Sequence, residues 1–116
     1  MKIAVTSSGK TLEDQVDVRF GRAPYFLIID GDQVEVIENP NLSAGGGVGV
    51  QTSQMLADKG VEAVIAGNFG PKAFQVLEAA GIKAYSVEGK KVKEAIELVK
   101  EGKIQSTQAA NKASHW

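Results

Sequence analysis

Two rhythms of apolar and polar positions run along the chain, and each predicts a different kind of element. KIAVT at 2–6 is short, apolar and β-branched, which reads as a buried strand ending near Ser7, where SSGK starts a loop. YFLIID at 25–30 is a continuous apolar run, Gly31-Asp32 is a two-residue turn, and QVEVIE at 33–38 alternates. Together they predict a β-hairpin whose outer member is an edge strand. NPNLSAGGGVG is loop chemistry. After it Val48, Thr52, Met55, Leu56 and Lys59 fall at helical spacing, with Gly60 as the stop, so a helix is expected over about 48–59. VEAVIAG at 61–67 is a second buried strand. Pro71 opens a helix carrying Phe74, Leu77 and Ala80 and closed by Gly81, IKAYSV is a short strand, and Val92, Ala95, Ile96 and Val99 mark a last helix over about 91–101.

The order β-β-β-α-β-α-β-α starts with a hairpin and ends in βαβ units, which calls for a mixed sheet covered by helices. One hairpin and two right-handed crossovers give the strand order 3-2-1-4-5 with only strand 2 antiparallel, an α/β, three-layer, ribonuclease H-like arrangement. The loops leaving strands 1, 4 and 5 and the start of the first helix then share one edge of the sheet. Residues 1–104 are expected to form one domain and 105–116, including His115, a flexible tail.

Composition narrows the class. With 116 residues, 43% apolar and 23% charged, the chain has the make-up of one ordinary globular domain. Its apolar runs fall far short of the roughly 20 residues that cross a bilayer, and no leader pattern opens it, so a cytoplasmic location and no membrane partner are expected. A formal charge of −1 offers no general attraction to nucleic acid. There is no cysteine, hence no disulfide, no thiolate nucleophile and no thiolate ligand, and no metal held by protein side chains is expected.

Charge is nevertheless local. The only two arginines, Arg19 and Arg22, sit in the tetrapeptide RFGR between strands 1 and 2, where paired guanidiniums can clamp a carboxylate or phosphate in a planar, bidentate way, with Phe20 and Gly21 between them as further candidate binding residues. SAGGGVG leads into the first helix, so the amides of Gly45, Gly46, Gly47 and Gly49 can form an anion cradle at a helix N-terminus. TSSGK, with Ser7 and Ser8, and AGNFGP, with Asn68 and Gly70, flank the point where the sheet reverses its direction of growth, the usual ligand crevice of open α/β sheets. Plainer readings stay open at each position. The arginines can pair with Glu13, Asp14 or Asp17, the glycine run can be only a flexible loop, Phe20 beside Gly21 can be a core plug, and Asn68 and Gly70 can serve a turn. Three chemistries are excluded by pattern. No Gly-Lys-Ser/Thr follows the glycine run, its spacing is wrong for a dinucleotide fingerprint, and strand 1 has no carboxylate for a two-metal nuclease. With His115 as the single histidine no catalytic triad assembles, and a non-enzyme is expected.

MKIAVTSSG, VDVRFGRAPYFLIID and GGGVGVQTSQMLADKGVEAVIAGNFGPKAFQVLEAAGIKAY, in this order, resemble the dinitrogenase iron-molybdenum cofactor biosynthesis family, the NifX-like domain also found at the C-terminus of NifB-type proteins. The resemblance spans about residues 1–104. It implies a non-catalytic carrier that binds the iron-molybdenum cofactor or an iron–sulfur precursor, in company with nitrogenase-assembly proteins. Such a cluster is anionic through its sulfides, which suits Arg19, Arg22 and the helix amides. Cluster-handling members often carry histidine before the Phe-Gly pair. Here Arg19 stands there, which points to electrostatic holding. Two other functions are compatible with the same residues: a binding or regulatory module for another small anionic metabolite, and a protein-interaction module that uses the strand 3 edge.

Overall fold

The structure is a computed structural model that describes residues 1–39, 48–104 and 106. Its elements are β1 (Lys2–Ser7), β2 (Tyr25–Asp30), β3 (Gln33–Glu38), α1 (Val48–Asp58), β4 (Ala63–Ala66), α2 (Pro71–Ala79), β5 (Lys83–Ser86) and α3 (Val92–Lys100). The sheet order is β3-β2-β1-β4-β5, with β2 antiparallel to both neighbours and β1, β4 and β5 parallel, as the connection rules require. Gly45, Gly46 and Gly47 and the tail expected at 105–116, apart from Ser106, lie outside the described residues. Among the described residues no helix is long and apolar enough to cross a membrane.

The central strands are apolar throughout because helices cover both of their faces. Ala4, Phe26, Ile28, Val64, Ala66 and Ala84 face one way and meet Leu56 of α1 and Ala73 and Leu77 of α2. Ile3, Val5, Leu27, Ile29, Ala63 and Ile65 face the other way and meet Val92, Ala95, Ile96 and Val99 of α3. In α2 the inward stripe is Ala73 and Leu77 with Phe74 half-buried, while Ala80, expected on that stripe, is the exposed C-cap. The helix stops one residue short of it, since Gly81 takes φ 76° and the Ile82 amide returns to the Leu77 carbonyl. β4 and β5 are each shorter than the apolar runs that announce them, because only four residues of each find ladder partners.

The β2–β3 connection needs its glycine. Asp30 pairs with Gln33, leaving Gly31 and Asp32 as the loop, and Gly31 adopts φ 62°. The alternation of β3 does not give it a buried face. Val34 and Val36 point to the α3 side and remain 45% and 43% exposed, because α3 lies over β1.

One close approach governs the top of the sheet. A Cβ on Gly67 would lie 2.7 Å from the Val18 Cα, a main-chain atom that cannot swing aside. Gly67→Ala is therefore expected to lower the unfolding free energy by about 1–3 kcal/mol, measured by urea denaturation.

Candidate functional site

The rim at the ends of β1 and β4 is built mainly by the segment between β1 and β2. Val16 bridges to Ser7 in antiparallel fashion and Arg19 to Asn68 in parallel fashion. Between them the Asp17 amide donates to the Thr6 carbonyl at 3.0 Å, Gly67 donates to the Asp17 carbonyl at 3.1 Å, and Asn68 to the Val18 carbonyl at 2.7 Å. The Thr6 hydroxyl, wholly buried, lies 2.8 Å from the Asp17 carbonyl and 3.3 Å from that of Ile65. The switch point expected as an open crevice is thus occupied by the chain's own backbone, so a guest must lie on the outer surface of this segment.

That arrangement sorts the expected site residues. Phe20 is not guest-facing: it is fully buried, its ring centroid 5.3 Å from that of Phe69 and 6.3 Å from that of Phe26, so it plugs the core beneath the rim. Ser7 is also fully buried, its hydroxyl donating to the Gly9 carbonyl at 2.7 Å and accepting from the Gly9 amide, so it shapes the turn. Gly21 and Gly70 are buried backbone, Gly70 as the residue that caps α2 ahead of Pro71. Gly49 is buried in α1, where its carbonyl accepts from the Ser53 hydroxyl at 2.8 Å, and that hydroxyl also lies 3.3 Å from the Ala73 carbonyl of α2. Thr52, buried one turn into α1, has a hydroxyl without a hydrogen-bond partner among the described residues.

Ser8, Arg19, Arg22 and Asn68 remain at or near the surface. The Arg19 side chain is 49% exposed, its Nε 3.4 Å from Asp17 Oδ1, while its backbone amide donates to the same oxygen at 2.8 Å. The pairing with Asp17 is long and half in solvent, so it holds Arg19 weakly and leaves guanidinium N–H groups for another acceptor. Arg22 is half-buried, and Asn68 reaches Glu88 at 3.4 Å. Lys10 adds a further positive charge, 5.6 Å above the Tyr25 ring centre. Among the described residues no three His, Cys, Asp or Glu side chains gather as a metal site.

The chain belongs to the dinitrogenase iron-molybdenum cofactor family. The family match covers residues 1–102. An uncharacterized protein from Methanocaldococcus jannaschii is 34% identical over 110 residues, 90% of each chain. The apo form of the orange protein from Desulfovibrio gigas superposes with TM-score 0.92 at 37% identity, covering 96% of each chain. The NMR structure of a Thermotoga protein described as a putative NifB protein superposes with TM-score 0.83 at 42% identity, covering 97% of this chain and 98% of that one. The NifX-like resemblance of RFGRA and GNFGP therefore extends over nearly the full length, and within this family member those motifs are the two segments that the Arg19–Asn68 bridge joins.

Sequence reasoning missed Asn39. It is 5% exposed and donates from Nδ2 to the Gly21 carbonyl at 3.1 Å and the Ala23 carbonyl at 2.8 Å, pinning the arginine loop to the end of β3. Asn before Pro40 signals a turn, but nothing local says which distant carbonyls it serves. Asn39→Ala and Asn39→Asp, neither of which retains the amide donor, are each expected to cost about 1–3 kcal/mol in chemical denaturation.

A second fixture is Glu13, bonded to Lys93 Nζ at 2.6 Å and Lys91 Nζ at 3.2 Å, which ties the loop after β1 to the start of α3. Hydrogen bonding to Lys93, then Lys91, holds its carboxyl below the ordinary 4.5, and Glu13 in turn raises Lys93 above 10.5. Because the folded Glu13 value lies below the unfolded one, its stabilising contribution is present above the ordinary value and fades as pH falls through the folded one. The Lys93 contribution is present below its ordinary value and fades as pH rises through the raised one. A carboxyl-detected NMR titration is expected to find the Glu13 midpoint lowered, and back at the ordinary value in Lys91→Ala, Lys93→Ala.

Proposed function

We propose that this family member is a non-catalytic carrier that binds an anionic metal–sulfur cluster, the iron-molybdenum cofactor or an iron–sulfur precursor, on the outer face of the Asp17–Asn68 rim of a ribonuclease H-like domain, and passes it to nitrogenase-assembly proteins. The reading rests chiefly on the Arg19–Asn68 bridge, which brings the arginine loop and the GNFGP loop of the family together over the ends of β1 and β4. Arg19, Arg22 and the exposed Ser8 supply donors. The cluster is cargo here. With no cysteine in the chain, sulfide and carboxylate oxygens of the guest accept hydrogen bonds from guanidinium groups, and its iron keeps whatever ligands it arrives with. Such holding suits transfer, since release exchanges hydrogen bonds for water and breaks no bond to metal. That the orange protein is described in an apo form agrees with a detachable guest in a close structural relative.

The test is anaerobic mixing of the purified protein with isolated cofactor or precursor cluster, followed by size exclusion and visible absorbance. The native chain is expected to co-elute with the cluster. The Arg19→Ala, Arg22→Ala variant, short of about 3 kcal/mol of charge-assisted contacts, is expected to bind roughly 100-fold more weakly. Absence of cluster binding by the native chain at micromolar concentration overturns the carrier reading. Thermal stabilisation by phosphates or carboxylates in its place identifies a module for a smaller anion.

A further inference from the structure

The outer edge of β3 combines four features that no part of the rim shares. It is a six-residue strand, longer than the four-residue β5 at the opposite edge. Apart from the Lys59–Glu35 ion pair at 3.3 Å, no bond runs from Gln33–Glu38 to described residues other than its β2 partners, so one side of its main chain has no partner among the described residues. Val34 and Val36 stand half-exposed on the face that α3 leaves uncovered, and Val34 borders a groove of about 350 Å³ lined by the apolar Leu12, Ile29 and Ile96 and by Asp32, Glu97, Lys93 and Lys100. The stretch from Asp30 to Glu38 also carries four carboxylates, Asp30, Asp32, Glu35 and Glu38, and no basic residue.

We infer that the β3 edge is a docking site for an extended, basic segment of another protein, which adds as a sixth strand. The unpaired amides and carbonyls of β3 supply the ladder. Alternate apolar side chains of the incoming strand lie beside Val34 and Val36 and fill the groove, and flanking Lys or Arg side chains meet Asp32 and Glu38, which sit on that same face at either end of the valine pair. A second copy of this chain does not fit the charge. Antiparallel self-pairing that sets Val34 against Val36 would also oppose Glu35 to Glu35 and Asp32 to Glu38, and like charges directly opposite destabilise a sheet. The site stands apart from the carrier reading, although the added strand would end beside Asn39, which holds the arginine loop.

The probe is a capped peptide, Lys-Lys-Val-Thr-Val-Thr-Val-Lys-Lys, titrated into the full chain and followed by amide and methyl NMR. Its controls are the same peptide with Glu for Lys and with a central Pro. Shifts and exchange protection are expected in Gln33–Glu38, with methyl shifts at Leu12, Ile29 and Ile96. Affinity should fall roughly tenfold or more for either control and for Val36→Lys, and should weaken with added salt. Equal binding of the acidic peptide, shifts confined to other surfaces, or no shifts at all overturns the proposal. Sedimentation that shows β3-dependent self-association, abolished by Val36→Lys, overturns it in favour of a second copy.

Discussion

The residues from Val16 to Arg19 are laid across the ends of β1 and β4 and bonded to both, and most of the rim follows from that placement. The Asp17 carbonyl takes the Gly67 amide and lies beside the Thr6 hydroxyl, so the gap between two parallel strands is filled by peptide groups that satisfy one another. Val18 can lie there only because residue 67 has no side chain. Once the segment is seated, the next residue, Phe20, drops into the core between Phe26 and Phe69, while Arg19 turns toward solvent. The loop's charge and its buried ring are thus consequences of one backbone path.

This construction separates the parts that hold the rim from the parts that can meet a guest. Thr6, Ser7, Phe20 and Asn39 are buried and spend their polar or apolar groups on the chain itself. Ser8 and Arg19 are exposed. A carrier benefits from such a division, because a rigid base keeps donors in place while solvent-facing guanidinium contacts stay reversible. The net charge of −1 conceals an uneven distribution, with both arginines on the rim and a run of four carboxylates around β3. An anionic guest and a basic strand would therefore find different faces of one small domain.

The strand order was legible because it depends on local signals: apolar runs of four to six residues, a Gly-Asp turn, helical spacing closed by glycine, and helical crossovers, which strand twist makes right-handed. Family motifs were legible for the same reason, as contiguous strings such as RFGRA and GNFGP. The grouping of Arg19 with Asn68 was half legible, since topology sends both loops to one edge but does not say that they touch. The fate of Phe20 and Ser7 was less so. A phenylalanine or serine beside arginine and glycine reads alike whether it faces a guest or the core, and only the path of residues 16–20 distinguishes the two.

By itself the sequence determined the mixed five-stranded sheet, the family and the presence of two arginines in one short loop, because these rest on periodicity and on residues adjacent in the chain. Tertiary structure alone decided that the switch point is closed by backbone, that Asn39 anchors the arginine loop from the end of another strand, and that Val34 and Val36 stay uncovered. Each of these depends on hydrogen bonds or helix coverage between segments distant in sequence, and no local pattern encodes which distant carbonyl or which helix will be there.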